Sequence, residues 1–168
     1  YSLWAIVRPA KTVGGDLYTY YLDSSDRLFM AVGDVSDKGV PAALFMAKTI
    51  SHIQQYSDAF IEPAKGMALL NNALESGNSN CMFVTLFFGV LNLKSGELRF
   101  ASAGHTPPSL LREGESQAVT QESGPALGLA PDIQFPENRV QLNGGDRLAI
   151  YTDGIDEAFN EQHEMFGC

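Results

Sequence analysis

The sequence is poor in the residues that staple or metallate small domains. It has two cysteines and three histidines in 168 residues. Cys81 and Cys168 make neither a disulfide framework nor a zinc spacing, which favours a reducing, cytoplasmic setting. No apolar run approaches the ~20 residues of a membrane-spanning helix. Cationic side chains are also scarce: 11 Lys and Arg stand against 20 Asp and Glu, for a formal charge of −9. A surface this acidic repels a phosphate backbone, so nucleic acid is not expected as a partner, whereas divalent cations suit it. Internal repeats and low-complexity tracts are absent. What is present is apolar: 45% of residues are hydrophobic and 10% aromatic. That is enough for one domain over residues 1–168 with a core needing no covalent help.

The start, Leu3 to Arg8, reads as a strand and lacks the leading positive charge of a signal peptide. Leu17–Leu22 and Leu28–Val35 flank Asp23-Ser24-Ser25-Asp26 as a hairpin. Pro41 opens a helix to about Tyr56, with Ala42, Ala43, Met46, Ile50 and Ile53 on one face. A second helix spans about Glu62 to Leu74 and stops at Gly77-Asn78-Ser79-Asn80. Met82–Leu91 is an almost unbroken apolar run, the pattern of a strand covered on both faces. Strands follow at Glu97–Ala103, Ser109–Leu111, Gln117–Thr120, Arg139–Leu142 and Arg147–Thr152, with Gly124–Pro136 as a surface loop. Strands set apart from helices predict an α+β fold with antiparallel sheet.

Three segments place an aspartate beside glycine at a strand end: Gly14-Gly15-Asp16-Leu17, Gly33-Asp34-Val35 and Thr152-Asp153-Gly154. Each alone reads as turn punctuation. Asp146, in Gly145-Asp146-Arg147, reads as a plain turn, and Asp23, Asp26, Asp132 and Asp156 as solvated. Three carboxylates converging from separate parts of the chain would repel one another unless a hard cation neutralised them. Oxygen donors without a Cys or His pair fit Mg²⁺ or Mn²⁺ better than Zn²⁺. A Gly-x-Ser-x-Gly elbow and a Gly-x4-Gly-Lys-Ser/Thr phosphate loop are both lacking. His52 and His163 have no partner at ligand spacing. His105 reads as a structural histidine holding a tight loop, with general acid work as the alternative, and Lys38 as a solvated lysine near a helix start, with a phosphate contact as the alternative.

Taken in order, these segments resemble a known family. They run Arg8-Pro9-Ala10, Val13-Gly14-Gly15-Asp16, Gly33-Asp34-Val35-Ser36-x-Lys38-Gly39-Val40-Pro41-Ala42-Ala43-Leu44 and Phe83–Leu91. Gly96-Glu97-Leu98-Arg99-Phe100-Ala101-x-Ala103-Gly104-His105-x-Pro107-Pro108, Leu127-Gly128-Leu129 and Gly145–Ala158 complete the set. The family is the bacterial SpoIIE/RsbU-type branch of the PPM metal-dependent serine/threonine protein phosphatases. The resemblance implies an α-β-β-α sandwich of two antiparallel sheets flanked by helices. It implies hydrolysis of phosphoserine or phosphothreonine on a signalling partner, an anti-sigma-factor antagonist being typical. Carried over, Asp34 bridges two Mn²⁺ or Mg²⁺ ions, Asp16 and the Val35 carbonyl complete one site, and Asp153 serves the other. An upstream sensor or receiver domain, a homodimer and a cytoplasmic location, free or on a membrane-anchored protein, accord with it.

The chain departs from the family pattern at Asp37, where Gly is usual, at Thr106, where Asn is usual, and at Asp156, where Thr is usual. The family's last acidic pair falls downstream of Phe166-Gly167, so the domain reads as truncated before that strand. A phosphatase-like module that grips a partner without chemistry is the alternative reading. A general Mg²⁺-dependent phosphomonoesterase is a third.

Overall fold

The computed structural model describes residues 1–7, 14–155, 160 and 162. A five-stranded antiparallel sheet is built from β1 (Leu17–Leu22), β2 (Arg27–Val35), β3 (Val84–Asn92), β4 (Glu97–Ala103) and β7 (Asn138–Gln141), in the order β1-β2-β3-β4-β7. A second sheet has the order β6-β5-β8, from β5 (Ser109–Arg112), β6 (Glu115–Ala118) and β8 (Arg147–Ala149). Helices α1 (Val40–Gln55) and α2 (Pro63–Glu75) connect β2 to β3, with a 3₁₀ turn at Ala59–Ile61 between them.

Alternation along β3 decides the layering. Leu86, Phe88 and Val90 join the helix-side core with Phe45, Ile53, Phe60, Met67 and Leu70. Phe87 points the other way, into a smaller core shared with Phe100 of β4 and Leu110 of the second sheet. The expectation of a strand covered on both faces is therefore met, because successive side chains leave a strand on opposite sides. The two sheets stack, and the described helices cover the outer face of the larger one.

Helix α1 begins after Gly39, whose φ of 88° suits glycine, with Pro in its first turn. Its buried stripe is Ala42, Phe45, Thr49 and Ile53, while Met46 and Ile50 pack from the side. The expected face shares only Ala42 and Ile53 with this stripe: it included Ala43, which is half-buried, and passed over Phe45 and Thr49, the latter fully buried with its hydroxyl donating to the Phe45 carbonyl at 2.8 Å. Within α2, Gly66 leaves room for Phe60, since a Cβ there would lie 2.3 Å from the ring. Phe60 stacks on Phe88 at 3.9 Å between centroids, locking helix to sheet.

Several expectations are corrected. Residues 1–7 are exposed and belong to no strand, so the strand expected from Leu3 is not formed there. Arg8 lies outside the described residues. A strand needs a neighbour for its backbone groups, and among the described residues none pairs with 1–7, the outer edge of β1 included. The strand expected at Gln117–Thr120 begins earlier, at Glu115, because Glu113 and Gly114 (φ 54° and 87°) close a two-residue hairpin. The strand expected to reach Thr152 ends at Ala149, which pairs with Ser109. Beyond that pair β8 would meet Pro107-Pro108, and proline offers no N–H to continue a ladder.

The 124–136 segment is more than a surface loop. Leu127 is buried and exchanges two backbone hydrogen bonds with Val84, at 2.9 and 3.2 Å. Asn71, fully buried on α2, accepts from the Gly128 N–H at 3.0 Å and donates to the Ala130 carbonyl at 2.8 Å. Asn71→Ala strands both backbone groups and is expected to cost about 2–3 kcal/mol. Thermal melting should show it as a fall of about 5–10 °C.

Candidate functional site

The β1–β2 hairpin sets the first two carboxylates against each other. Leu17 pairs with Gly33, and two residues further out Val35 N–H donates to the Gly15 carbonyl at 3.3 Å. Asp16 and Asp34 thus stand directly opposite, where cross-strand side chains share a face. That face is the one Met30 turns toward the inter-sheet core. Gly15 makes the approach feasible: a Cβ on it would lie 2.6 Å from the Val35 carbonyl oxygen and 3.0 Å from Asp34 Oδ1. Gly33 does the same on the other side, where a Cβ would reach the Thr85 carbonyl at 2.5 Å.

Asp153 comes from the opposite sheet, just past β8. It is exposed, and its charge acts on Asp34. Asp34 carries the electrostatic record of this crowding. Burial first, then the Asp16 and Asp153 carboxylates, push its pKa up to about 6, against the Val35 N–H and the Lys38 ammonium. Three of the four predicted site residues, Asp16, Asp34 and Val35, therefore meet at one strand end, with Asp153 in electrostatic range.

The donor set is wholly oxygen, and Asp34 lies in a negative field that a hard cation would relieve. These residues fit Mg²⁺ or Mn²⁺ in chemistry. Among the described residues, no three Asp, Glu, His or Cys side chains close around one point as a preformed cage.

The remaining acidic residues separate from this group. Asp146 is not a plain turn residue: it accepts from the Asn143 N–H at 2.8 Å and forms a bidentate pair with Arg112, which holds its carboxyl below the usual range. Asp23 is likewise structural rather than solvated, accepting from Ser25 and Arg27 N–H and pairing with the Arg27 guanidinium. Asp26 pairs with Lys94 at 2.9 Å, and Asp132 bonds Asn72 of α2. Asp156 and His163 lie outside the described residues.

Asp37 is exposed with φ 76°, and Lys38 is exposed beside it. The left-handed φ explains why glycine suits position 37, and Asp tolerates it at some cost. Asp37→Gly is expected to stabilise the fold by about 0.5–1 kcal/mol. The readout is a rise of about 2–4 °C in Tm with unchanged activity.

Two neighbours of the carboxylates escaped sequence reasoning or were read too narrowly. Thr85 stands opposite Asp34 in the β2–β3 register, and its Oγ1 lies 3.3 Å from His105 Nδ1. His105 is buried, and burial pushes its pKa down to about 4, so it is neutral near pH 7. The signal for Thr85 was the single hydroxyl in the otherwise apolar run Met82–Leu91.

Two stacked antiparallel sheets with acidic residues at one shared end define a PPM-type phosphatase fold. The SiaA PP2C domain of Pseudomonas aeruginosa superposes with a TM-score of 0.82 at 25% identity, covering 95% of this chain and 64% of that one. The chain belongs to the SpoIIE family, matching Stage II sporulation protein E (SpoIIE) over residues 24–168. It is 31% identical to protein IcfG of Synechocystis over 97% of its own length and 30% of that protein. It is 29% identical to the phosphoserine phosphatase RsbU of Bacillus subtilis, over 95% of this chain and 48% of RsbU. The chain thus spans less than half the length of these curated relatives. No helix among the described residues is long and apolar enough to cross a membrane.

Proposed function

We propose that residues 1–168 act as a single phosphatase domain that hydrolyses phosphoserine or phosphothreonine on a partner protein. The observation that carries this reading is the position of Asp34, half-buried and facing Asp16 and Asp153 with its pKa raised to about 6. A cluster that disfavours its own negative charge is costly unless cations occupy it. Asp34 would hold both ions, Asp16 and the Val35 carbonyl would complete one site, and Asp153 would hold the other. When bound, two Mn²⁺ or Mg²⁺ ions supply the positive charge that acidifies a water and neutralises the phosphoester dianion. The protein's own part is geometric. The hairpin fixes Asp16 against Asp34, Gly15 removes the Cβ that would part them, and the stacked sheet brings Asp153 to the same end.

The name of RsbU, a phosphoserine phosphatase, supports a phosphorylated protein as substrate, and an anti-sigma-factor antagonist domain is the partner we infer. The expected result is phosphate release from a phosphoserine-bearing domain of that kind with Mn²⁺ present. Release should stop on chelation and resume when Mn²⁺ is restored. Undiminished turnover after chelation would sink the reading. Tight partner binding that survives chelation, with no phosphate released, would instead establish the binding module.

A further inference from the structure

Ser36 closes the β2–β3 ladder with a side chain in place of main chain. Val35 pairs with Val84, and one step outward Ser36 N–H donates to the Phe83 carbonyl at 2.8 Å. In an antiparallel pair of this kind the two residues exchange both bonds, so the Phe83 N–H would return to the Ser36 carbonyl. It goes instead to Ser36 Oγ, at 2.9 Å. The chain can therefore leave the sheet directly after Val35, through the left-handed backbone of Asp37 (φ 76°), without stranding the Phe83 donor.

That exit point bears on the candidate site because one peptide unit joins Ser36 N–H to the Val35 carbonyl. A trans peptide is planar, and its N–H and C=O point in opposite directions. The bond to Phe83 on the β3 side thus turns the Val35 carbonyl toward β1. The contacts on that side agree: a Cβ on Gly15 would lie 2.6 Å from the Val35 carbonyl oxygen and 3.0 Å from Asp34 Oδ1, so the two oxygens flank one spot beside Gly15. Phe83 is in turn held from behind. The Met82 carbonyl, which shares a peptide with the Phe83 N–H, accepts from Asn78 Nδ2 at 2.6 Å. The Val84 N–H, which shares one with the Phe83 carbonyl, donates to Leu127 O at 3.2 Å.

We infer that Ser36 is a positioning residue: its N–H and hydroxyl together clamp the 35–36 peptide onto Phe83, and so hold the Val35 carbonyl beside Asp34 Oδ1. This deepens the proposed function and rests on its metal-centre reading. Groups that orient a metal donor without touching the ion commonly change metal affinity by about 10–100-fold.

The test is calorimetric titration of Mn²⁺ into metal-free protein, with amide hydrogen exchange and thermal melting of the same samples. Ser36→Ala removes the hydroxyl of a half-buried residue and keeps its N–H. It is expected to weaken about tenfold the Mn²⁺ event that Asp16→Asn removes, to speed exchange at the Phe83 amide, and to keep a cooperative melt. Ser36→Thr retains the hydroxyl and should restore both affinity and protection, which a side chain that merely filled space would not require. Wild-type Mn²⁺ affinity in a folded Ser36→Ala overturns the inference. So does a Phe83 amide that exchanges in metal-free wild type as fast as an unprotected one, a result that needs no variant to fold. Asp16→Asn and Asp34→Asn separate the two failures: if both bind Mn²⁺ like wild type, the metal-centre reading falls, and the role of Ser36 with it.

Discussion

Asp34→Asn is expected to reduce phosphate release to background and, in metal-free protein, to raise the melting temperature at pH 7. The two effects have one origin. The folded-state pKa of Asp34, about 6, lies above the unfolded value of 3.8. An acid shifted upward contributes nothing below pH 3.8, where both states are protonated. Between 3.8 and 6 the unfolded chain ionises first, so a penalty on the folded state accumulates, and above pH 6 it is complete. The shift corresponds to about 3 kcal/mol at 1.36 per pH unit, and solvent at this half-exposed carboxyl screens it to about 1–2 kcal/mol. Asn keeps the shape and removes the charge, so the variant should gain a few degrees at pH 7. The advantage should shrink to nothing by pH 4.

His105 runs the opposite way in the same interval. Its folded pKa, about 4, is below the usual 6.5. Its stability is complete above pH 6.5 and is lost as pH falls toward 4, where the unfolded chain takes the proton and the buried ring does not. In wild type the two trends offset each other. In Asp34→Asn the histidine limb stands alone, so that variant should lose stability more steeply between pH 6.5 and 4 than wild type. A variant less stable than wild type at pH 7, or a parallel pH profile, would contradict the electrostatic account. The comparison uses protein freed of metal, since bound cations would stabilise wild type by mass action.

The second large effect is expected at Gly15. Ala there puts a methyl 2.6 Å from the Val35 carbonyl oxygen, a backbone atom that cannot swing aside, and 3.0 Å from Asp34 Oδ1. The strands must part by several tenths of an ångström at the place where, in the proposed function, two carboxylates and a carbonyl would share a ligand. Misplacement approaching 1 Å can cost about a hundredfold in rate, and a loss of that order is expected in phosphate release. Mn²⁺ affinity should weaken in parallel. Far-ultraviolet circular dichroism should hold steady, because β1 beyond Asp16 keeps its pairing from Leu17 to Leu22. Gly15→Ala with wild-type activity would mean that the close approach is not used.

Much of this was legible in residue order. The hairpin around Asp23–Asp26 was legible but its register was not: Leu22 pairs with Leu28, so five residues connect the strands, and that pairing is what sets Asp16 opposite Asp34. Helix ends at Pro41 and Pro63 follow from proline chemistry, and the apolar run at β3 announced its double burial. What the chain order could not give was partnership across distance. Thr49 and Asn71 are polar residues in buried places, and only the tertiary neighbours that satisfy them make those places tolerable. Leu127 sits in a segment rich in turn residues, and the Val84 edge that captures it lies far off in sequence. Asp146 and Asp23 resemble Asp153 in local context, and only Arg112 and Arg27 tell them apart. The strand expected near residue 3 had the right side chains, yet none of the described strands pairs with it, although β1 has an open edge.

The origin of the acidic group in two unlike pieces of chain bears on how the domain assembles. Asp16 and Asp34 belong to a hairpin, a local unit that closes on the microsecond scale. Asp153 arrives only when the smaller sheet docks, a contact of long sequence separation and correspondingly slow. The repulsion between the first two carboxylates is therefore met early, by a small element with little else to hold it. A divalent cation present during refolding should consequently speed the early phase, and leave the later docking of the Asp153 segment as the step that sets the pace.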